Sequence, residues 1–267
     1  MEKNDALHHQ ELARPGSWLG HTVVVEQVTA STNDDARRLA EAGAKNGVVV
    51  IAERQERGRG RQGRRWHSPG GVNLLFSVLL REPDLGPVAG LVTLATGLAV
   101  ARALADHCGL PARIKWPNDV RIGGRKLCGI LAEAGGSRRL EYMVVGIGLN
   151  VNVAREDLPA ELKDVATSLR METSRGWRRA EVFRAVMTEL ETVLGELKDG
   201  GAERVISSWK VYDEVLGRRV RAETPGGVFH GQALNLRPDG ALILRDEATG
   251  QERAVVAGDV TPMPQAT

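Results

Sequence analysis

The apolar stretch from Val88 to Ala105 constrains the fold more than any other segment, because a helix that is apolar all round must be covered all round. The spacing predicts a long buried helix over Pro87 to Cys108, closed by Gly109. Glycine, threonine and Arg102 within the stretch leave it short of a convincing membrane span. Covering such a helix takes length. At 267 residues the chain suits one large domain, or one domain with a small appendage, burying roughly 70–75% of its unfolded surface.

Strand-like pieces surround this helix. Thr22 to Val28 is β-branched and bounded by turns, and Val48 to Glu53 is a short apolar run of buried-strand type. Between them Ser31-Thr32-Asn33-Asp34 offers N-caps for a helix through about Ala42, ended by Gly43. Arg54 to Gly71 has glycine and arginine without apolar periodicity and reads as a loop, and Asn73 to Arg81 returns to strand. Four more strands are expected at Ala112–Trp116, Val120–Ile122, Lys126–Glu133 and Leu140–Asn150, with turns at Pro117-Asn118-Asp119 and Gly123-Gly124. A mostly helical section spans about Arg178 to Val211. From Gly217 the texture changes to short β segments with turns at Pro225-Gly226-Gly227 and Pro238-Asp239-Gly240. The expectation is an α+β fold: a mixed, largely antiparallel sheet with packed helices, plus a small terminal β-barrel. The expected division is a leader over 1–20, frayed or forming one short helix, a main domain over 21–213 and a β domain over 214–267.

The formal net charge of +2 is too small to argue for nucleic acid, although Arg54 to Arg65 gathers six arginines against one acid, Glu56. Cys108 and Cys128 are too few and too separated for a disulfide framework or a zinc site, and read as small apolar packers in a reducing compartment. Met1 to Gln10 is polar and holds no signal-peptide run. These features together point to a cytoplasmic protein without a membrane anchor.

Four segments carry candidate chemistry, each with a structural reading beside it. In Gly58-Arg59-Gly60-Arg61-Gln62-Gly63-Arg64-Arg65-Trp66, glycine lets backbone N–H groups approach a ligand and arginine supplies donors for carboxylate or phosphate. The same loop could be a solvated linker or an RNA contact, and it matches neither the Walker A nor the dinucleotide fingerprint. Lys115-Trp116-Pro117-Asn118-Asp119, followed by Arg125 and Lys126, is either a strand turn with lysines in water or a phosphate site. On a regular strand, Lys126 shares a face with Cys128 and Ile130, at the mouth of an apolar surface. Ser31-Thr32-Asn33 is a polar triplet or a helix cap. Gly146 to Asn152 is a ligand-contacting strand or one with close backbone neighbours.

In this order, with Glu53-Arg54-Gln55, Trp66, Gly129-Ile130-Leu131 and Glu133, the segments resemble the biotin–protein ligase family over about residues 22–260. The resemblance implies a class II synthetase-like catalytic domain and a small SH3-like C-terminal β-barrel. It implies two half-reactions: biotin and Mg²⁺·ATP form biotinyl-5′-AMP and pyrophosphate, and a lysine of a biotin carboxyl carrier domain then takes the biotin. It puts Ser31, Thr32, Asn33 and Gln55 around the ureido ring, whose two N–H donors and one carbonyl need polar partners. Arg59 and Arg61, with Gly58 and Gly60, would close over carboxylate and phosphate, and Lys126 would bring the two together. Lys115, Asn118, Asp119 and Asn150 fall to the nucleotide, Asp119 also to its Mg²⁺. Trp66 either packs under the ligand or has a structural part.

Two departures set further expectations. Many members of the family carry a DNA-binding winged helix, and the roughly 20 residues before the first strand are too few for one, so a monofunctional ligase without a specific DNA site is expected. The adenine-stacking tryptophan that some members place after the Gly-Ile-Gly-Leu-Asn strand is missing near Ala166 to Leu169, and Trp177 lies late. A lipoate–protein ligase is the nearest rival, but a dithiolane ring has no use for the Ser-Thr-Asn and Gln lining. A nucleic-acid-binding protein needs a broader basic face with aromatics. An exposed strand edge leaves a homodimer open.

Overall fold

Seven strands form the main sheet of the computed structural model, which describes residues 5–81, 86–137 and 139–264. They are β1 (Val23–Thr29), β2 (Val49–Gln55), β3 (Leu74–Arg81), β4 (Arg113–Lys115), β5 (Asp119–Ile122), β6 (Arg125–Gly135) and β7 (Tyr142–Leu149). Their spatial order is β1-β2-β3-β7-β6-β5-β4, parallel at β1/β2 and antiparallel at every other pair. The parallel pair needs a crossover, and the helix over Thr32–Glu41 supplies it. Among the described residues six α-helices accompany the sheet: α1 (His9–Leu12), α2 (Thr32–Glu41), α3 (Val92–Cys108), α4 (Leu169–Thr173), α5 (Arg179–Lys198) and α6 (Ala202–Tyr212).

The sheet is covered on both faces. Ile51, Phe76, Ile130 and Ile147 join α3 and α5 in the main core, where Leu94, Leu98, Phe183 and Leu190 are buried. Each such side chain contributes about 1.5–3 kcal/mol by leaving water. On the other face Val50, Leu79 and Val144 meet Ala36 and Ala40 of the shorter α2. Because α2 covers only part of this face, the neighbouring stretch of β6 and β7 stays open for a ligand.

Val88–Cys108 is long and apolar enough to cross a membrane, yet most of it is buried inside the fold. Its start differs from the expectation. Gly86–Leu91 is a 3₁₀ turn and the α-helix begins only at Val92. Gly86 and Gly90 lower the helical propensity of this stretch, and a Cβ at Gly90 would stand 2.7 Å from the Asp239 carbonyl. Over its described part the N-terminal segment takes the short-helix alternative, α1, rather than a frayed leader. Leu7, Leu12 and Leu19 are buried in the main core, and Asp5 pairs with the buried Arg179; residues 1–4 lie outside the described residues.

After α6 come five short strands: β8 (Arg219–Thr224), β9 (Gly227–Leu236), β10 (Leu242–Asp246), β11 (Glu252–Val255) and β12 (Asp259–Pro262). They form an antiparallel sheet in the order β11-β10-β9-β8-β12 around Val220, Ala233, Leu242, Leu244 and Val260. This β domain touches the main sheet through Trp116, whose indole N–H donates to the Gly240 carbonyl at 3.1 Å, and through an Arg121–Glu214 ion pair at 2.6 Å.

Candidate active site

The open part of the sheet is a cavity of about 240 Å³, floored by β6 and β7 and roofed by the Gly58–Trp66 loop. Its floor is made of glycine for a steric reason. A Cβ on Gly146 would stand 2.2 Å from Asn33 Oδ1, one on Gly148 2.6 Å from the Trp66 indole, and one on Gly129 2.8 Å from the same ring. The close neighbours of this glycine-rich strand are therefore the polar triplet and the tryptophan of the loop.

One end of the cavity is polar and buried. Ser31 is the N-cap of α2, but its side chain makes no capping bond, so the triplet serves more than helix initiation. Thr32 donates through both N–H and hydroxyl to Gln55 Oε1, at 2.8 and 3.1 Å. Asn33 Nδ2 donates to Glu133 Oε2 at 2.6 Å and to the Leu131 carbonyl at 3.3 Å, which fixes the amide with its oxygen toward the floor. Ser77 Oγ lies 2.7 Å from Thr32 Oγ1 and 2.6 Å from Asn33 Oδ1. Its single proton serves one of them at a time. Ser77 was missed from the sequence, although one hydroxyl inside the apolar run Leu74–Leu80 was a signal: a buried hydroxyl needs a partner.

The other end is charged. Lys115, Asp119, Gly129 and Gly148 face one another across β4, β5, β6 and β7. Regular alternation would send Lys126 to the opposite face with Cys128 and Ile130. A bulge corrects this: Val120 pairs with Cys128 but Arg121 pairs with Lys126, so Leu127 is an extra residue. Lys126 thereby turns to the glycine face, its ammonium 2.6 Å from Asp119 Oδ1 and 5.5 Å from the centre of the Trp66 ring. Cys128 stays in the core, where burial pushes its thiol pKa up.

The loop folds back on itself, with Trp66 N–H donating to the Gly58 carbonyl at 2.9 Å and Gly60 N–H to the Arg64 carbonyl at 2.7 Å. Three arginines tie it down. Arg59 grips Asp34 with two bonds, at 2.7 and 2.8 Å, and reaches Glu133 at 3.3 Å. That pairing lowers the Asp34 pKa and raises that of Arg59. Arg61 donates to Asn118 Oδ1 at 3.1 Å, and burial pulls its pKa down, against the attraction of Asp259 and Asp119. Arg64 pairs with Asp259 at 2.7 Å. The Trp66 indole N–H is buried without a hydrogen-bond partner among the described residues.

The structure therefore gathers Ser31, Thr32, Asn33, Gln55, Arg59, Gly60, Arg61, Asn118, Asp119, Lys126 and Asn150 around one cavity. Gly58 is packed behind the lining, where a Cβ would meet Gln55 and Trp66. Lys115 is not in the lining either: its ammonium is 2.8 Å from Asp259 Oδ1. The Asn150 amide is held by Asn73 and by the Thr167 carbonyl, and so braces the segment after β7. From that segment Leu158, Leu162, Val165 and Ala166 supply an apolar wall. Trp177 stays outside, stacked with Arg175 at 3.9 Å. Asp259 itself was missed: it stands far along the chain, in the β domain, with no motif around it.

The chain matches the biotin/lipoate A/B protein ligase family over residues 25–150 and the biotin protein ligase C-terminal domain over residues 215–261. It is 35% identical to the biotin–[acetyl-CoA-carboxylase] ligase of Mycobacterium tuberculosis over 96% of this chain and 93% of that one. It is also 35% identical to the bifunctional ligase/repressor BirA of Bacillus subtilis over 85% of this chain and 70% of that one. Its fold is similar to that of the biotin protein ligase from Aquifex aeolicus in complex with biotin and ATP, with a TM-score of 0.78 and 30% identity, covering 90% and 97% of the two chains. With sequence, fold and cavity in agreement, the chain belongs to the biotin–protein ligase family.

Proposed function

We propose that this protein is an ATP-dependent biotin–protein ligase that forms biotinyl-5′-AMP and transfers biotin to a lysine of a carboxylase's biotin carboxyl carrier domain. The observation that carries this reading is a single cavity with a neutral polar end (Ser31, Thr32, Asn33, Gln55), backed by the buried Ser77 hydroxyl, and a cationic end (Lys126, Arg61). Biotin has the same two ends: a ureido ring with two donors and one acceptor, and a carboxylate. A lipoyl dithiolane has no N–H donor or carbonyl acceptor to offer this end of the cavity.

In the first step a biotin carboxylate oxygen attacks the α-phosphorus, the P–O bond to the β-phosphate breaks, and pyrophosphate leaves. Two anions must meet, so the work of the protein is positioning and charge compensation. Lys126 and Arg61 stand where both groups would lie. In the second step the neutral amine of the acceptor lysine attacks the acyl carbon of the mixed anhydride and AMP departs. Magnesium arrives with ATP as part of the substrate. Among the described residues no three His, Cys, Asp or Glu side chains converge. Asp119, which lines the cavity beside Lys126, would be the protein carboxylate that holds the ion. The aliphatic wall of Leu158, Leu162, Val165 and Ala166 is the surface for adenine, in place of a stacked tryptophan. We take the catalytic domain to run over residues 21–213 and the β domain over 214–267, and the cytoplasm as the compartment, in keeping with two free cysteines.

The test is pyrophosphate release with Mg²⁺·ATP and either biotin or lipoate. Biotin-dependent release, followed by labelling of a carrier domain, is the expected result. Release with lipoate alone would overturn the assignment.

A further inference from the structure

We infer that Asp259 of the β domain is a resident anion that occupies the polyphosphate-binding cations Lys115 and Arg64 and must be displaced when ATP binds. The inference rests on the biotin–protein ligase reading and adds a control element to it.

Two cations from different elements converge on this one carboxylate. Lys115 of β4 bonds Asp259 Oδ1 at 2.8 Å and Arg64 of the loop bonds Oδ2 at 2.7 Å. Lys115 belongs to the row that includes Asp119 and leads to the reacting end, yet it does not line the cavity, whereas Asp259 does. The carboxylate thus stands between a cation and the space that the cation would serve. Burial opposes its ionisation, but the hydrogen bonds from Lys115 and Arg64 outweigh burial and hold its pKa down to about 2. The β domain is shaped to deliver it. Gly258 has φ +155, and a Cβ there would stand 2.4 Å from the Glu223 carbonyl, so the turn into β12 admits glycine and places Asp259 over the cavity.

A polyphosphate brings more negative charge and more acceptor oxygens than a carboxylate, and so competes for both cations. If Asp259 stayed in place it would repel the incoming phosphates. Its release frees Arg64 and uncouples this edge of the β domain from the loop and from β4. Biotin is held mainly at the other end of the cavity and does not require the exchange.

The experiment is calorimetric titration with magnesium pyrophosphate, without biotin, on the full chain, alongside the KM for ATP and the affinity for biotin. Asp259→Asn is expected to bind pyrophosphate about fivefold or more tightly and to lower the KM for ATP, because a like charge leaves the site. Biotin affinity should stay within about twofold, which also reports that the variant is folded. Lys115→Gln is expected to weaken pyrophosphate binding about tenfold, and it keeps the test open should Asp259→Asn fail to fold. Weaker pyrophosphate binding by Asp259→Asn would overturn the inference and make Asp259 a positioning residue for Lys115. Unchanged binding would overturn it too, leaving a structural link. Failure of the wild type to release pyrophosphate with biotin would instead refute the ligase reading, and the calorimetry does not depend on that result.

Discussion

Lys126 faces the cavity because Leu127 is an extra residue in β6. The Arg125–Lys126 segment could be recognised in the sequence, but strict alternation assigned it to the wrong face, since a bulge has no reliable signature in one chain. The bulge puts the ammonium at the charged end of the cavity with Asp119. Lys126→Ala is expected to lower the single-turnover rate of biotinyl-AMP formation on the order of 10²–10³-fold, the scale for losing one electrostatic stabiliser. Biotin affinity should fall less, because the charge that Lys126 answers is largest in the transition state. Arginine should rescue poorly, since a planar fork does not replace a compact ammonium. An unchanged rate would leave Lys126 only as the partner of Asp119. Glu133 was legible as part of a motif but not in its work, which is to hold Asn33 Nδ2 at 2.6 Å and Arg59 at 3.3 Å. Glu133→Ala should therefore weaken biotin binding about tenfold by calorimetry, the worth of one hydrogen bond to a charged group. A loss of melting temperature with intact biotin affinity would make Glu133 an anchor of the loop alone.

At the scale of elements, the strands and the long helices could be read from apolar runs and turn residues. What could not be read was which elements meet. The glycines of β6 and β7 announced a close approach, but their neighbours, Asn33 and Trp66, come from α2 and the loop. The packing of Leu7, Leu12 and Leu19 was hidden because three isolated leucines in a polar segment show no period. Glycine makes a segment costly to fix, so the loop is expected to be mobile without ligand and ordered by biotin. Three arginine ties and the seat of Trp66 over Gly148 hold it over the cavity. Tryptic cleavage within residues 57–65 should slow when biotin is added to the wild type. In Gly148→Val that protection should be largely lost, because the new side chain takes the place of the indole. Equal protection in both proteins would show that the loop closes without seating Trp66.

At the scale of the whole molecule, the turn-rich texture after Gly217 announced a small β domain, but not that one of its carboxylates reaches the cavity. Long-range pairs such as Lys115–Asp259 leave no trace in local sequence, since each partner alone is an ordinary surface charge. This link has a pH dependence whose sign follows from its pKa. The Asp259 carboxyl is held at about 2, below its ordinary 3.8, by Lys115 and Arg64 in spite of burial. A depressed carboxylate contributes stability that is fully present above its unfolded value and is lost as pH falls through the folded one. The span from 3.8 to about 2 corresponds to about 2 kcal/mol at neutral pH. Asp259→Asn should therefore unfold at lower urea than the wild type at pH 7, even though it is expected to bind pyrophosphate more tightly. The stability gap should begin to close below about pH 4 and narrow steadily toward pH 2. Urea titrations of both proteins at pH 7, 5, 4 and 3 provide the measurement. A gap that stays constant down to pH 3 would mean that the side chain acts through its shape and neutral hydrogen bonds. The charge argument for its place over Lys115 and Arg64 would then fail with it.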